Sequence, residues 1–269
     1  MKKKFVLGVI GAGFMSSAII NGIINTKCLK KNQIIVSDLS DDALARMNKL
    51  GVRTTKENIT VANNCEYLLF AIKPQHFPDV ANKVCVCDVK KIISIMAGVK
   101  KEKIKKYFNN ALVCRCMPNT PCSIGEGAVG IDALDYTDKK DLNFIENIFS
   151  SFAKVSYLPE EKISAVTGIS GSSPAYFYLF AKGIIDSGVK NGLDYDVAVN
   201  LAVTTMIGSG KMILKNKEKT LDELITAVCS KGGTTIEAIN VFNENKLTDI
   251  CKKAIDACIK RSKELEDTL

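Results

Sequence analysis

The feature that most constrains the fold is a glycine-rich segment near the amino terminus, GVIGAGFMSSA at positions 8–18. It follows the apolar run Phe5–Ile10, which predicts a strand, and it opens a stretch with helical spacing. In this context Gly11 permits a tight turn, Gly13 lets the backbone approach a pyrophosphate, and the small Ser16 allows the helix to lie close to the strand. The segment predicts a dinucleotide-binding loop. Its candidate cofactor contacts are Gly11, Ala12, Gly13, Phe14 and Met15.

The first half of the chain alternates short apolar runs with helical patterns, which is typical of a parallel sheet wound by crossover helices. In open sheets of this kind, ligands bind beyond the carboxyl ends of the strands. We expect an α/β fold, with a Rossmann-type, doubly wound, mostly parallel sheet over residues 1–159. Its strands are expected at Phe5–Ile10, Ile34–Asp38, Tyr67–Ile72, Ile92–Ile95 and Leu112–Met117.

The second half has a different pattern, because strand-like runs disappear after about Pro159 and apolar residues recur at spacings of three and four. Residues 160–269 are therefore expected to form a separate all-α domain. The segment Ile163–Val189 predicts one long helix that is apolar nearly all round. Such a helix needs more than one neighbour to cover it, which favours a partner subunit, with a self-contained bundle as the alternative.

Asp38 ends the second predicted strand, about twenty residues beyond the glycines, where an acid accepts hydrogen bonds from the ribose hydroxyls of the adenosine. This position favours NADH, because the 2′-phosphate of NADPH would meet a like charge. Ser37, Ser40 and Arg46 are near enough in sequence to hold that phosphate in a rotated loop, so both cofactors remain open. Ser37 and Asp38 are the candidate contacts, and the alternative for Asp38 is a turn or helix-capping role.

Two further loops follow predicted strands, AIKPQ at 71–75 and ISIMAGV at 93–99. Pro74 fixes the backbone where the chain leaves the sheet, Lys73 can reach phosphate or ribose oxygens, and Gly98 permits close backbone approach on the nicotinamide side. Either segment alone could equally be an ordinary strand-to-helix turn. The candidate cofactor contacts in these loops are Ala71, Ile72, Lys73, Pro74, Ala97 and Gly98.

Three segments rich in small and polar residues complete the pattern: CMPNTPCSIGEG at 116–127, TGISGSSPAYFYLFAKG at 167–183 and SKGGTTIEAI at 230–239. The first is stiffened by two prolines, and rigid polar loops of this kind commonly line sites. The other two place glycine and hydroxyl-bearing residues at the start of predicted helices, where backbone NH groups bind small anions. Two such ends could bind one carboxylate, and plain helix capping is the alternative for each.

The composition argues against several other classes of protein. Ten cysteines lack any CxxC pair and His76 is the only histidine, so we expect neither a metal centre nor a disulfide framework, in a reducing compartment. The lysines behind the net charge of +8 are scattered without interleaved aromatics, so no nucleic acid is expected. No run approaches the roughly 20 apolar residues of a membrane helix and no signal peptide is evident, which predicts a cytoplasmic protein without a membrane partner. His76 is expected to have a surface or capping role.

Taken in order, GAGFMSSA, AIKPQ, ISIMAGV, RCMPNTPCSIGEGA, AVTGISGSSPAY and SKGGTTIEAI resemble the pyrroline-5-carboxylate reductases over essentially the whole chain. The resemblance implies reduction of the cyclic imine 1-pyrroline-5-carboxylate to L-proline by NADPH or NADH, the last step of proline biosynthesis. It implies a Rossmann-type domain followed by a helical dimerisation domain, with the substrate near the cofactor at the subunit interface. The implied partner is a second copy of the chain, in a homodimer or a larger assembly of dimers.

The resemblance also implies roles for individual residues. Thr235 is similar to the family's threonine that hydrogen-bonds the ring nitrogen, which makes it the candidate catalytic residue. Gly233 and Thr234 resemble the segment whose backbone holds the carboxylate, Ser230 belongs to the same pocket, and Asn119 would lie near the nicotinamide. None of these is a strong acid or base, which suits an imine that arrives already protonated and needs only alignment.

Two positions depart from the family's usual pattern. Lys231 stands where the family's SPGGTT has proline, and Ser173 stands where GSGPAY has glycine. These departures keep two alternatives open. One is a nucleotide-responsive regulatory or assembly protein without turnover, and the other is a reductase of a different imine, with the double bond beside the carboxylate.

Overall fold

The structure is a computed structural model that describes residues 3–268. Contacts within the chain divide it into two compact units. The first unit runs to Pro174 and resumes from Ala257, and the second unit is Ala175–Asp256.

The first unit is built on a single sheet of eight strands. The strands are β1 Phe5–Ile10, β2 Ile34–Ser37, β3 Arg53–Thr55, β4 Cys65–Phe70, β5 Lys91–Ser94, β6 Leu112–Pro118, β7 Gly127–Asp132 and β8 Ala153–Tyr157. They lie in the order β3-β2-β1-β4-β5-β6-β7-β8, and every neighbouring pair is parallel except β6 and β7. The predicted Rossmann-type, mostly parallel sheet is confirmed.

The sequence pattern misses three strands and misplaces a fourth. β3 has only three residues and none is buried, β8 is an edge strand without a fully buried residue, and β7 is interrupted by glycines. The strand predicted at Tyr67–Ile72 begins two residues earlier, at Cys65. The preceding helix ends at Asn64, so no turn residues mark the start of β4 in the sequence.

Helices pack on the sheet and bury it. In the first unit they are α1 Phe14–Asn25, α2 Asp41–Leu50, α3 Asn58–Asn64, α4 Phe77–Val84, α5 Lys101–Tyr107 and α6 Lys139–Ser150. Leu7 and Val9 of β1 belong to one hydrophobic cluster, and Phe5 and Ile10 belong to another. Because the side chains of β1 are shared between two cores, the strand ends rather than the sheet faces are available to a ligand.

After Tyr157, every regular element of the described chain is helical, as predicted. The helices are α7 Ile163–Val166, α8 Ser173–Lys190, α9 Tyr195–Lys215, α10 Leu221–Val228, α11 Thr234–Glu244 and α12 Leu247–Thr268. The single long helix predicted at Ile163–Val189 is wrong, because α7 runs into a π-helical turn, Thr167–Gly171, and Ser172 bends the chain before α8. Two glycines weaken the helix here, and Pro174 has no NH to continue it from the preceding turn.

The second unit leaves large apolar side chains exposed, with Leu179 73% and Leu214 68% accessible. One helix among the described residues, α9, is long and apolar enough to cross a membrane by length and composition, and 6% of its apolar window is buried in this chain. The sequence expectation concerned continuous apolar runs, and α9 is interrupted by Asp196, Asn200 and Lys211. Exposed apolar surface of this extent marks a surface that another molecule covers.

The end of α12 belongs to the first unit and is held there by a buried ion pair. The side chain of Arg115 on β6 is 1% exposed, and its Nη2 lies 2.7 Å from Glu266 Oε1. Its Nη1 lies 3.1 Å from Glu160 Oε1. Ser262 of α12 donates its hydroxyl to Ser164 at 3.1 Å. These contacts anchor the last helix beside β6, the strand that Asn119 follows.

Candidate active site

The carboxyl ends of β1, β2, β4, β5 and β6 lie at one edge of the sheet, because these strands are mutually parallel. We call this the carboxyl edge. Every cofactor contact predicted from the sequence lies at it, at or just after the end of a strand. They are Gly11, Ala12, Gly13, Phe14 and Met15 after β1, Ser37 and Asp38 at β2, Ala71, Ile72, Lys73 and Pro74 after β4, Ala97 and Gly98 after β5, and Asn119 after β6.

The two glycines after β1 differ in what their missing side chains allow. Gly11 has a φ of +104°, and a Cβ there would lie 2.6 Å from the carbonyl oxygen of Ala71. Its NH donates to the Ser37 carbonyl at 2.8 Å, so Gly11 is held between the ends of β2 and β4. Gly13, the residue before α1, has a φ of −73°, and no atom of residues 3–268 lies within 4 Å of a Cβ built on it. Gly11 shapes the turn, whereas Gly13 leaves open the space that a pyrophosphate needs beside a helix amino end.

Asp38 connects the end of β2 to the glycine loop. Its Oδ2 accepts the NH of Ala12 at 2.7 Å, and its Oδ1 accepts the NH of Ser40 at 2.8 Å. Ser40 caps α2, so Asp38 has the turn role considered above in addition to any contact with a ribose. Ser37 is fully buried and donates its hydroxyl to Asn58 Oδ1 at 2.7 Å, which leaves it no free hydroxyl proton for a cofactor.

The loops after β4 and β5 have the features expected of a nucleotide edge. Lys73 is exposed at the start of a short 3-10 turn, Pro74–His76, and it has no ion pair among the described residues. His76 is exposed and comes directly before α4, as expected of a surface or capping residue. After β5, Gly98 has a φ of +73°, a backbone conformation that glycine adopts readily.

Asn119 follows β6 and its side chain is fully engaged within the first unit. Its Oδ1 accepts the NH of Ala128 at 3.0 Å, and its Nδ2 lies 3.4 Å from both the carbonyl and the hydroxyl oxygen of Ser170. The short turn that follows, Thr120–Ile124, packs against α1. Sequence reasoning placed Asn119 in the site but missed Ala128 and Ser170, because no local spacing links positions so far apart.

In the second unit, the predicted substrate residues form the turn between α10 and α11. The NH of Gly233 donates to the Ser230 carbonyl at 3.0 Å, and a Cβ on Gly233 would lie 2.2 Å from the Ser230 hydroxyl oxygen. Gly233 precedes Thr234, the first residue of α11, and no side chain caps this helix. Thr235 is half-buried, and its hydroxyl has no hydrogen bond to any described residue. The turn thus offers free NH groups and a free hydroxyl at one helix end.

A cluster of titratable groups lies at the opposite end of the strands. Tyr67 donates its hydroxyl to Asp141 Oδ1, and Lys91 Nζ lies 2.7 Å from the same oxygen. Burial raises the pKa of Tyr67 and the Asp141 contact raises it further. Burial also acts to raise the pKa of Asp141, but hydrogen bonds from Lys91 and Tyr67 outweigh it and the pKa lies below its usual value. This cluster belongs to the packing of α6 on the sheet, not to the carboxyl edge.

An open groove of about 720 Å³ lies near the ends of β7 and β8. Its lining includes Tyr136, Lys139, Glu146 and Tyr157. Because β7 is antiparallel to β6, the end of β7 lies opposite the carboxyl edge. None of the predicted site residues lines this groove. Within residues 3–268, no group of three or more histidine, cysteine or acidic side chains could hold a metal ion.

Two family models match the chain. The model for pyrroline-5-carboxylate reductase dimerisation matches residues 160–265, which include the exposed apolar helices and the Ser230–Thr235 turn. The model for the coenzyme F420-dependent NADP oxidoreductases matches residues 6–98, which include most of the carboxyl edge.

Whole-length similarity extends to known proteins and structures. The pyrroline-5-carboxylate reductase of Haemophilus influenzae is 33% identical over 97% of this chain and 97% of that protein, and the one from Synechocystis is 35% identical over 96% and 97%. The crystal structure of the Plasmodium falciparum enzyme with NADP bound matches with a TM-score of 0.89, at 28% identity over 99% of this chain and all 100% of that one. The Coxiella burnetii enzyme matches with a TM-score of 0.86, at 32% identity over 98% and 99%.

Proposed function

Since the chain belongs to the pyrroline-5-carboxylate reductase family, we propose that its carboxyl edge and its Ser230–Thr235 turn hold the two reactants of that reduction. The protein is an NADP-dependent oxidoreductase that reduces 1-pyrroline-5-carboxylate to L-proline. The observation that carries this function is the match to named reductases over 97% of both chains. The assignment of individual residues is our proposal, and it is supported by the geometry of each loop.

The carboxyl edge fits a dinucleotide. The empty space at Gly13 beside the amino end of α1 would take the pyrophosphate, and the exposed Lys73 supplies a cation for phosphate or ribose oxygens. Asp38 would accept hydrogen bonds from the adenosine ribose. When bound, the reduced nicotinamide supplies the hydride. The residues proposed to hold the dinucleotide are Gly11, Ala12, Gly13, Phe14, Met15, Asp38, Ala71, Ile72, Lys73, Pro74, Ala97 and Gly98, with Asn119 beside them. Ser37 supports this edge from below, because its buried hydroxyl is donated to Asn58.

The turn before α11 fits a small carboxylate next to a ring nitrogen. The backbone NH groups that begin α11, from Thr234 onward, would hold the carboxylate, while the NH of Gly233 donates to Ser230 and so shapes the turn beside them. The free hydroxyl of Thr235 would hydrogen-bond the ring nitrogen. The imine enters protonated on nitrogen, so hydride addition to its carbon gives the neutral amine without an acid from the protein. The work of these residues is to orient the C=N bond.

The protein family is NADP-dependent. In this chain, Asp38 is the residue that would set the choice between NADPH and NADH. The carboxylate lies where the two cofactors differ, and it would oppose the 2′-phosphate of NADPH. We propose that the protein uses both cofactors, with Asp38 lowering the advantage of NADPH.

The exposed apolar helices are explained by dimerisation, since α8, α9, α10 and α11 all lie within the matched dimerisation region. A second copy of the chain covers this surface in a homodimer. We propose that any larger assembly is built from that dimer, and that α9 is an interface helix rather than a membrane span. We therefore propose that the enzyme works in the cytoplasm without a membrane or nucleic-acid partner.

The test is cofactor oxidation by the purified protein. It should be run with NADPH and with NADH, each with 1-pyrroline-5-carboxylate and with the isomer whose double bond lies beside the carboxylate. We expect oxidation of both cofactors with the first imine. Oxidation with only the second imine would change the substrate, and cofactor binding without turnover on either would favour a nucleotide-responsive protein that has lost catalysis.

A further inference from the structure

Both the oxygen and the NH2 group of the Asn119 side chain have hydrogen-bond partners within the protein. Its Oδ1 accepts the NH of Ala128 at 3.0 Å and the thiol of Cys122 at 3.7 Å. Its Nδ2 lies 3.4 Å from the carbonyl oxygen of Ser170 and 3.4 Å from the Ser170 hydroxyl. An amide has one carbonyl oxygen with two lone pairs and one NH2 group with two hydrogens. The described residues thus contact both the oxygen and the NH2 group of the side chain, and a bound nicotinamide would have to compete with them for either group.

The partners also fix the direction of the amide. The backbone NH of Ala128 requires an acceptor, and the carbonyl of Ser170 requires a donor. Only a side chain with an acceptor on one branch and a donor on the other satisfies both. Aspartate has the same shape but would place a carboxylate oxygen against the Ser170 carbonyl, so it separates the chemistry of the position from its size.

Ser170 lies in the π-helical turn Thr167–Gly171. Such turns are rare, well under about 1% of residues, and they occur frequently at functional sites. The turn packs on the end of β6, since a Cβ on Gly171 would lie 3.5 Å from Met117 Sδ. Asn119 thus joins three segments: the loop after β6 at the carboxyl edge, the start of β7, and the turn from which the chain leads into α8.

We propose that Asn119 is a positioning residue, whose amide ties the loop at the carboxyl edge to the π-helical turn through Ser170. It acts on imine reduction through this tie and makes no side-chain hydrogen bond to the cofactor. The effect on reduction depends on the proposed function, whereas the tie itself does not. The expectation from resemblance, which counts Asn119 among the cofactor contacts, makes the opposite prediction for cofactor affinity.

The test uses Asn119→Asp, Ser170→Ala and the double variant. Asn119→Asp keeps an acceptor for Ala128 but loses the donor to Ser170, and Ser170→Ala removes only the hydroxyl. Asn109→Ala is the matched control, because Asn109 is exposed before β6 and has no side-chain hydrogen bond to the described residues. For each protein we would measure the NADPH Kd by fluorescence titration, kcat and KM for the imine, and the free energy of unfolding.

We expect Asn119→Asp to lower kcat/KM for the imine about tenfold or more, while the NADPH Kd stays within about twofold of the parent value. The loss in the double variant should differ from the product of the single losses by about threefold or more, because residues in one network are not additive. Asn109→Ala should leave the NADPH Kd, the kcat and KM for the imine, and the free energy of unfolding unchanged. A tenfold rise in the NADPH Kd with an unchanged KM for the imine would make Asn119 a direct cofactor contact and overturn the proposal.

The same measurements give a different set of results if the protein is not a reductase of this imine. If the parent protein binds NADPH but reduces neither imine, the reductase function assigned to it is wrong. The tie would still be judged by the NADPH Kd and by non-additivity of the two substitutions in the free energy of unfolding. Additive unfolding energies in that case would show that Asn119 and Ser170 do not act together.

Discussion

Asp38 Oδ2 accepts a 2.7 Å hydrogen bond from the backbone NH of Ala12, which links the end of β2 to the glycine loop after β1. Its other oxygen accepts the NH of Ser40. The residue that would meet the ribose therefore also fixes the loop that would meet the pyrophosphate. A substitution at Asp38 is expected to change both the charge at the 2′-position and the order of the loop.

Replacing Asp38 with serine should shift cofactor preference toward NADPH. The substitution removes the carboxylate that would oppose the 2′-phosphate, so the ratio of kcat/KM for NADPH to that for NADH should rise about tenfold, or roughly 1.4 kcal/mol. Absolute affinity for NADH should fall, because Ala12 loses its acceptor. Steady-state kinetics with both cofactors checks this, and an unchanged ratio would leave Asp38 as a turn residue only.

The two glycines after β1 should respond differently to substitution. Gly13→Val should fold normally, because φ is −73° and the space is open, but it should abolish cofactor binding by filling the pyrophosphate position. Gly11→Ala should instead lower the melting temperature, because φ is +104° and the new Cβ meets the Ala71 carbonyl at 2.6 Å. Calorimetry and fluorescence titration separate these effects. A folded Gly13→Val protein with normal NADPH affinity would show that the cofactor lies elsewhere.

Lys231→Pro restores the residue usual in the family and should be well tolerated. The backbone NH of Lys231 makes no hydrogen bond to the described residues, so proline removes none. We expect kcat/KM for the imine to change less than about threefold, because the proposed carboxylate site is formed by backbone NH groups and not by this cation. The KM of the parent should rise more steeply with salt than that of the variant, since the exposed ammonium attracts the carboxylate group of the substrate. Equal salt dependence would show that Lys231 does not act on the substrate.

The pH dependence of stability should depend on Asp141. Its pKa is lowered in the folded protein by Lys91 and Tyr67, which outweigh burial, so its stabilising effect is complete above the unfolded value of about 3.9 and is lost as pH falls through the lower folded value. Asp141→Asn should lose roughly 1 to 3 kcal/mol of unfolding free energy at neutral pH, because Lys91 and Tyr67 lose a charged acceptor while Lys91 keeps its ion pair with Glu66 at 3.1 Å.

Denaturant unfolding at several pH values compares the two proteins. The difference between the parent and Asp141→Asn should narrow as pH falls below about 4. Asp256→Asn is the control, since Asp256 is exposed and has no ion pair among the described residues. A difference that stays constant across this range would mean that the carboxylate of Asp141 does not titrate with folding.

Much of this architecture can be predicted from the sequence, for physical reasons that particular elements make clear. The glycine loop and β1 are predictable because turn, strand and helix signals lie within a few residues of each other. β3 and β8 are not, because short or edge strands bury too little to show a period. The π-helical turn escapes prediction because its sequence continues the helical pattern on both sides.

The candidate site likewise has features that the sequence predicts and features that it does not. Positions at strand ends, such as Gly13 and Asp38, are predictable because the topology of a parallel sheet brings strand ends together. The hydrogen bonds that Asp38 accepts from Ala12 and that Asn119 donates to Ser170 are not predictable, since they depend on side-chain direction and connect residues far apart in sequence. Likewise, the buried Arg115 and its pairing with Glu266 have no local signal, because only the returning end of α12 supplies the partner.

We propose that Thr235 holds the ring nitrogen while this protein reduces 1-pyrroline-5-carboxylate. The most direct measurement is kcat/KM for that imine in Thr235→Ala beside the parent, with Thr60→Ala, an exposed threonine on α3, as control. One hydrogen bond to a charged group is worth roughly 1.5 to 3 kcal/mol, so we predict a loss of about ten- to a hundredfold with the NADPH Kd unchanged. A Thr235→Ala protein that reduces the imine as well as the parent would show that Thr235 does not hold the substrate.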